Sequence, residues 1–155
     1  YPSGAIGGLD ILRSARNAGL VRVEHRVLKP AHAWKGTAAE ACVDLDALKV
    51  ATEFAHGSVR EIAAQYPQNA NSTATTAFAG LGLDGTHVRL VADPGLDKNV
   101  HVIEIEAKCG NYTLRFENNP IPDNPKTSEM AALSLLTLIE AEAASMRRRP
   151  SRTDL

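Results

Sequence analysis

The sequence predicts a mixed α/β fold of the α+β kind, an open mixed sheet with helices packed on one face. Three observations predict it. Segments with the period of a strand and segments with the period of a helix alternate irregularly along the chain. Two late strand patterns, Val102 to Ile105 and Tyr112 to Phe116, are joined by a turn at Gly110-Asn111 and read as an antiparallel hairpin. A long apolar helix comes last. With 155 residues, 44% of them hydrophobic and 23% charged, the chain has one domain's length and the apolar content to fill a core.

The elements follow in order. Pro2 to Gly8 is a loop of small residues feeding a helix over Leu9 to Ala18, where Leu9, Ile11, Leu12 and Ala15 recur at helical spacing before Gly19 stops it. Val21, Val23, His25 and Val27 alternate with charged residues as a half-buried strand does, and Lys29-Pro30 ends it. Thr37 to Glu40 is a capping-box pattern for a short helix. Val50, Thr52 and Phe54 fit a strand, while Leu45 to Phe54 also fits a helix. Ser58 and Glu61 hold the spacing of a stronger capping box, and Pro67 closes the helix that follows.

Asn71 is the expected N-cap of a helix over Ser72 to Leu81 that ends at Gly82. Val88 to Val91 is a short strand, and Asn118 to Pro125, with three prolines, reads as loop. Ser128 to Met146 is the longest helix. Its middle, Leu133 to Ile139, is apolar on nearly all sides, so it is expected to be buried on two faces. The resulting organisation is an α+β unit over residues 1–127, a helix over 128–146 and a basic tail over 147–155, solvated beyond a helix C-terminus.

The composition excludes several classes. Seventeen basic against 18 acidic residues give a net charge of -1, so no overall field draws the chain to nucleic acid or an anionic membrane. No apolar stretch approaches the roughly 18 residues of a membrane span. Cys42 and Cys109 have no partner at metal-ligand spacing, which argues for neither a zinc site nor a disulfide framework and fits a reducing, cytoplasmic setting. The chain opens on Tyr1-Pro2 and runs at once into glycine-rich sequence, as a domain cut from a longer protein would.

Among five histidines only His101 has suggestive surroundings. It follows Asp93-Pro94 and Asn99 and opens a strand, a rigid edge from which an imidazole can reach a cleft and move protons near neutral pH. His25, His32, His56 and His87 read as structural or surface residues. Ser58 and Asn71 cap helices, and helix N-termini converging on a cleft would bind carboxylates or phosphates. Ser3 to Gly8 would allow close backbone approach to a ligand but lacks the order of a dinucleotide fingerprint.

PSGAIGGLD at Pro2 to Asp10, YPQNAN and AFAGLGLD within Tyr66 to Asp84, VRLVADP at Val88 to Pro94, NVHVIEIEA at Asn99 to Ala107 and ENNPIPDNPKTS at Glu117 to Ser128 together resemble the catalytic half of the L-aspartate dehydrogenase family. The resemblance implies the substrate domain of a two-domain dehydrogenase. An N-terminal Rossmann domain would bind NAD or NADP, and L-aspartate would be oxidised to iminoaspartate, which feeds quinolinate synthesis or hydrolyses to oxaloacetate and ammonia. It implies that His101 is the active-site histidine and that Ala5 and Asn71 contact the cofactor. A substrate with two carboxylates needs anion-binding groups, for which Ser58, Arg60 and Lys126 are the candidates. The partners expected are the Rossmann domain, which would cover part of the last helix, and a second subunit. The alternative is a relative with another amino-acid specificity, or a non-catalytic module that kept the scaffold.

Overall fold

The computed structural model describes residues 3–122 and 124–148, the side chains at 125, 126 and 148 excepted. Its order is α1 (Leu9–Ala18), β1 (Leu20–Lys29), two 3-10 turns at Ala31–Trp34 and Ala38–Ala41, β2 (Thr52–Ser58), α2 (Val59–Gln65), a 3-10 turn at Pro67–Asn69, α3 (Asn71–Ala79), α4 (Gly82–Gly85), β3 (Thr86–Ala92), β4 (Asn99–Ala107), β5 (Gly110–Asn118), β6 (Pro120–Ile121), β7 (Asn124–Ser128) and α5 (Glu129–Arg148). The main sheet has the order β2-β3-β1-β4-β5. Only β1 and β3 pair in parallel; the other pairs are antiparallel. The mixed sheet expected from the sequence is therefore present.

Alternation along the strands decides which face is which. Val23, His25, Val27 and Lys29 of β1 are buried on the face that carries the helices. Leu12 and Leu9 of α1 meet Val23, Ile103 and Ile105 there. A second cluster gathers Ile62 of α2, Ala77 of α3, Val27, Val88, Leu90 and the fully buried Trp34. On the opposite face Arg22, Glu24 and Arg89 form a ladder of ion pairs with Glu53 and Glu106, and Arg26 pairs with Glu104. One strand pattern thus serves two surfaces, an apolar one under helices and a charged one in water.

Several boundaries differ from the sequence reading. Leu45 to Phe54 is no helix: β2 begins at Thr52, where its partner β3 supplies the ladder. Asn71 does not cap α3. The cap is Ala70, Asn71 is the first helical residue, and no side chain closes that terminus. The helix stops at Ala79, and Gly82 opens the separate turn α4. The β4–β5 turn falls at Lys108-Cys109, two positions before the expected Gly110-Asn111, which already belongs to β5. Asn118 to Pro125 is not wholly loop, because Pro120–Ile121 pairs with Asn124–Ser128 in a two-stranded ribbon. The prolines are tolerated there because a two-stranded ribbon has only edges.

Helix α5 departs most. Ala131, Ser134 and Leu138 form a half-buried stripe, but Met130, Leu133, Leu135, Leu136 and Ile139 are 46–56% exposed. The expectation of burial on two faces does not hold within this chain. The tail beyond residue 148 lies outside the described residues.

Candidate active site

A cavity of about 150 Å³ opens where the C-terminal end of β1, the start of β4, the N-terminus of α3 and the β7–α5 junction meet. Its lining includes Gly4, Ala5, Lys29, Asn71, Ser72 and His101. Each arrives there for a local reason. Gly4 sits at φ +69° with open space where a Cβ would be, and its N–H donates to Ser134 Oγ of α5 at 3.0 Å. Asn118 Nδ2 donates to the Ala5 carbonyl at 2.7 Å, so the end of β5 pins the small-residue loop.

Lys29 is the last residue of β1 and 5% exposed. Its Nζ donates to Asn69 Oδ1 at 3.0 Å and lies 5.2 Å from the centroid of the Trp34 ring. Hydrogen bonding and the ring face together make a buried ammonium tolerable. His101 is 4% exposed, and its register against β1 places it opposite Val27. His25, opposite Ile103, is therefore its diagonal neighbour on the same face. The two rings meet at 5.2 Å between centroids, and His25 Nε2 lies 3.0 Å from His101 Nδ1. On its other side His25 Nδ1 lies 2.9 Å from Thr76 Oγ1 of α3. With Nδ1 engaged, Nε2 is the ring nitrogen His101 has left for the cavity.

The electrostatics keep both rings neutral. Burial, and then the charge of Lys29, lowers the His101 pKa to about 4. Burial and the neighbouring His101 hold His25 well below the ordinary imidazole value. A neutral imidazole beside a buried ammonium can accept a proton, and the ammonium can hold an anion. Among the described residues no group of three or more His, Cys, Asp or Glu side chains could hold a metal ion. No helix among them is long and apolar enough to cross a membrane.

The structure brings His101, Ala5 and Asn71 around one cavity, although they are 30 or more positions apart in sequence. Ser58 and Arg60 stand elsewhere. Ser58 and Glu61 satisfy each other in a capping box, and Arg60 forms an exposed ion pair with Asp84 at 2.6 Å. The side chain of Lys126 lies outside the described residues, although its neighbours Thr127 and Ser128 line the cavity. Lys29, His25 and Thr76 escaped the sequence reading. Their signal was the face itself, because a histidine and a lysine occupy alternate positions of a strand whose other members there are valines.

The chain matches the family described as aspartate dehydrogenase, C-terminal, over residues 10–142. It belongs to that family. An L-aspartate dehydrogenase from Brucella anthropi is 48% identical over 144 residues, which cover 93% of this chain and 54% of that protein. One from Serratia proteamaculans is 45% identical over 132 residues, 85% of this chain and 50% of the other. A crystal structure of aspartate dehydrogenase from Thermotoga maritima superimposes with a TM-score of 0.69 at 30% identity, over 91% of this chain and 52% of that one. The chain spans about half the length of the relatives it matches.

Proposed function

We propose that this chain is the substrate-binding, catalytic half of an NAD(P)-dependent L-aspartate dehydrogenase, with His101 as its base. The observation that carries the reading is a buried, neutral imidazole lining a cavity that a buried lysine also lines, in a chain of this family. Lys29 is the candidate partner for one substrate carboxylate, because among the described residues it is the cation that lines the cavity. The α3 terminus, uncapped by any side chain, offers backbone N–H groups for the other. Ser58 and Arg60, engaged with Glu61 and Asp84, have no part in it.

The residues present also fit a nicotinamide. Gly4 and Ala5 leave room for a flat ring, and Asn71 carries an amide that can pair with a carboxamide. When bound, that group supplies the hydride acceptor. The chain's own part is proton chemistry. His101 Nε2 takes a proton from the substrate ammonium, and the freed lone pair can then form the carbon–nitrogen double bond of iminoaspartate. A substrate carboxylate arriving beside Lys29 offsets its charge and raises the proton affinity of His101 toward neutrality.

The test is steady-state kinetics on the complete dehydrogenase carrying these residues. His101→Ala should lower kcat by about two to four orders of magnitude with cofactor affinity nearly unchanged. Lys29→Met should raise the KM for L-aspartate and leave that for the cofactor alone. A His101→Ala enzyme within threefold of the parent overturns the reading.

A further inference from the structure

The base proposed above has a second histidine behind it, and counting hydrogens along that contact fixes more than position. Thr76 has one hydroxyl hydrogen, which it donates to the Ser72 carbonyl one helical turn back at 3.2 Å. Toward His25 it can then only accept. In that arrangement His25 Nδ1, at 2.9 Å from Thr76 Oγ1, carries the hydrogen, which leaves His25 Nε2 bare as an acceptor. His101 Nδ1, at 3.0 Å from that nitrogen, is then the donor. His101 Nε2 is then left as a lone pair.

We propose that Thr76 and His25 are positioning residues that lock His101 in the tautomer whose cavity-facing nitrogen is the base. The α3 backbone sets the direction of the whole chain of bonds, so the same helix that borders the cavity also decides which imidazole nitrogen accepts a proton. His25 serves only while neutral, because a doubly protonated ring would have no acceptor for His101 Nδ1–H. Its complete burial ensures that. Among the described residues the groups facing the pair are the Lys29 ammonium from β1, itself held by the Asn69 amide, and the Thr76 hydroxyl from α3. None is a carboxylate, which separates this device from the familiar arrangement in which an acid orients a catalytic imidazole. A neutral acceptor fixes the tautomer without adding negative charge beside a site built to hold an anion.

The proposal rests on His101 being the base, and its test keeps the two apart. Nitrogen-15 correlation spectra of the imidazole rings in the wild-type chain, near pH 7, should show both His25 and His101 protonated at Nδ1. In the complete enzyme, His25→Leu should lower kcat about 10- to 100-fold with the KM for L-aspartate little changed. The acid limb of its pH profile should move to lower pH, since the imidazolium loses its acceptor. His25→Gln, which keeps an acceptor at that reach, should recover most of the rate, and Thr76→Ser should exceed Thr76→Val. An Nε2-protonated His101 in the spectra, or a folded His25→Leu enzyme within twofold of the parent while His101→Ala is inactive, overturns the relay and leaves the base standing. If His101→Ala is itself active, the functional reading has failed instead. Should His25→Leu not fold, the wild-type spectra decide the matter.

Discussion

The two ends of this chain invert the usual placement of residues. At the sheet, polar groups are buried: His25, His101, Lys29, Thr73, Thr76 and Asn69 are all 9% exposed or less. In α5 the apolar groups are the exposed ones, with Leu135, Leu136 and Ile139 half in water. His25, His101 and Thr76 meet one another at hydrogen-bond distance, as do Lys29 and Asn69, and Thr73 donates to the Ala70 carbonyl, so the domain itself supplies what these groups require. Among the described residues nothing does the same for the apolar side chains of α5. A region that answers its own demands is finished by its own fold, whereas one that does not depends on something beyond it.

Deleting part of the finished end should have the largest effect. Trp34 is fully buried, donates from Nε1 to the Val91 carbonyl at 3.0 Å, stacks edge-on against Phe54 at 4.8 Å and lies beneath Lys29. Trp34→Ala should therefore cost about 3–5 kcal/mol in urea unfolding, with the loss of Lys29's support felt in substrate affinity as well. A cost below about 1 kcal/mol would mean that this end is not the packed unit the contacts describe.

A smaller effect sharpens the comparison through pH. The folded chain holds His101 at about 4 against an ordinary 6.5, and His25 is lowered too. The unfolded chain binds protons first, so stability contributed by keeping these rings neutral is complete above about pH 6.5 and is lost as pH falls toward 4. Wild type should lose on the order of 2 kcal/mol more than His101→Gln over that interval, in unfolding midpoints measured at each pH. Parallel profiles for the two proteins would show that His101 titrates normally and that the buried network is looser than its distances imply.

The same contrast explains what was legible in the sequence. Strand alternation in Val21 to Val27, the Ser58–Glu61 capping box and the β4–β5 hairpin are local patterns, and each element forms where its pattern lies. His101 stood out by its place at the start of a strand and Asn71 by its place at a helix start, family resemblance gave both a role and added Ala5, and the fold gathers all three at one cavity. What stayed hidden needed register. That His25 meets His101 follows from Val27 pairing with His101 across β1 and β4, and no local pattern states that pairing. Likewise Ser58 and Arg60 looked available for a substrate, because nothing local reveals that Arg60 reaches Asp84, 24 positions away. The exposure of α5 was misjudged for the opposite reason: apolarity says that a surface wants cover, not where in the chain the cover is found.

The smallest expected change in stability belongs to α5, and it should come with a large change in association. Leu135, Leu136 and Ile139 are each about half exposed, so replacing all three with serine removes little apolar area that folding buries. The cost is helix propensity, a few tenths of a kcal/mol per residue, and the unfolding midpoint should move by no more than about 1 kcal/mol in all. In solution the outcome should differ sharply. Each such side chain yields about 1.5–3 kcal/mol when fully buried, so two copies that lay this stripe together gain enough to associate at micromolar concentration. Sedimentation velocity of the 155-residue chain should show a dimer or larger species, and the triple serine variant should run as a monomer with its thermal transition nearly in place. A wild-type chain that sediments as a clean monomer and binds no hydrophobic dye would erase the contrast between the two ends, since α5 would then be as content in water as the charged face of the sheet.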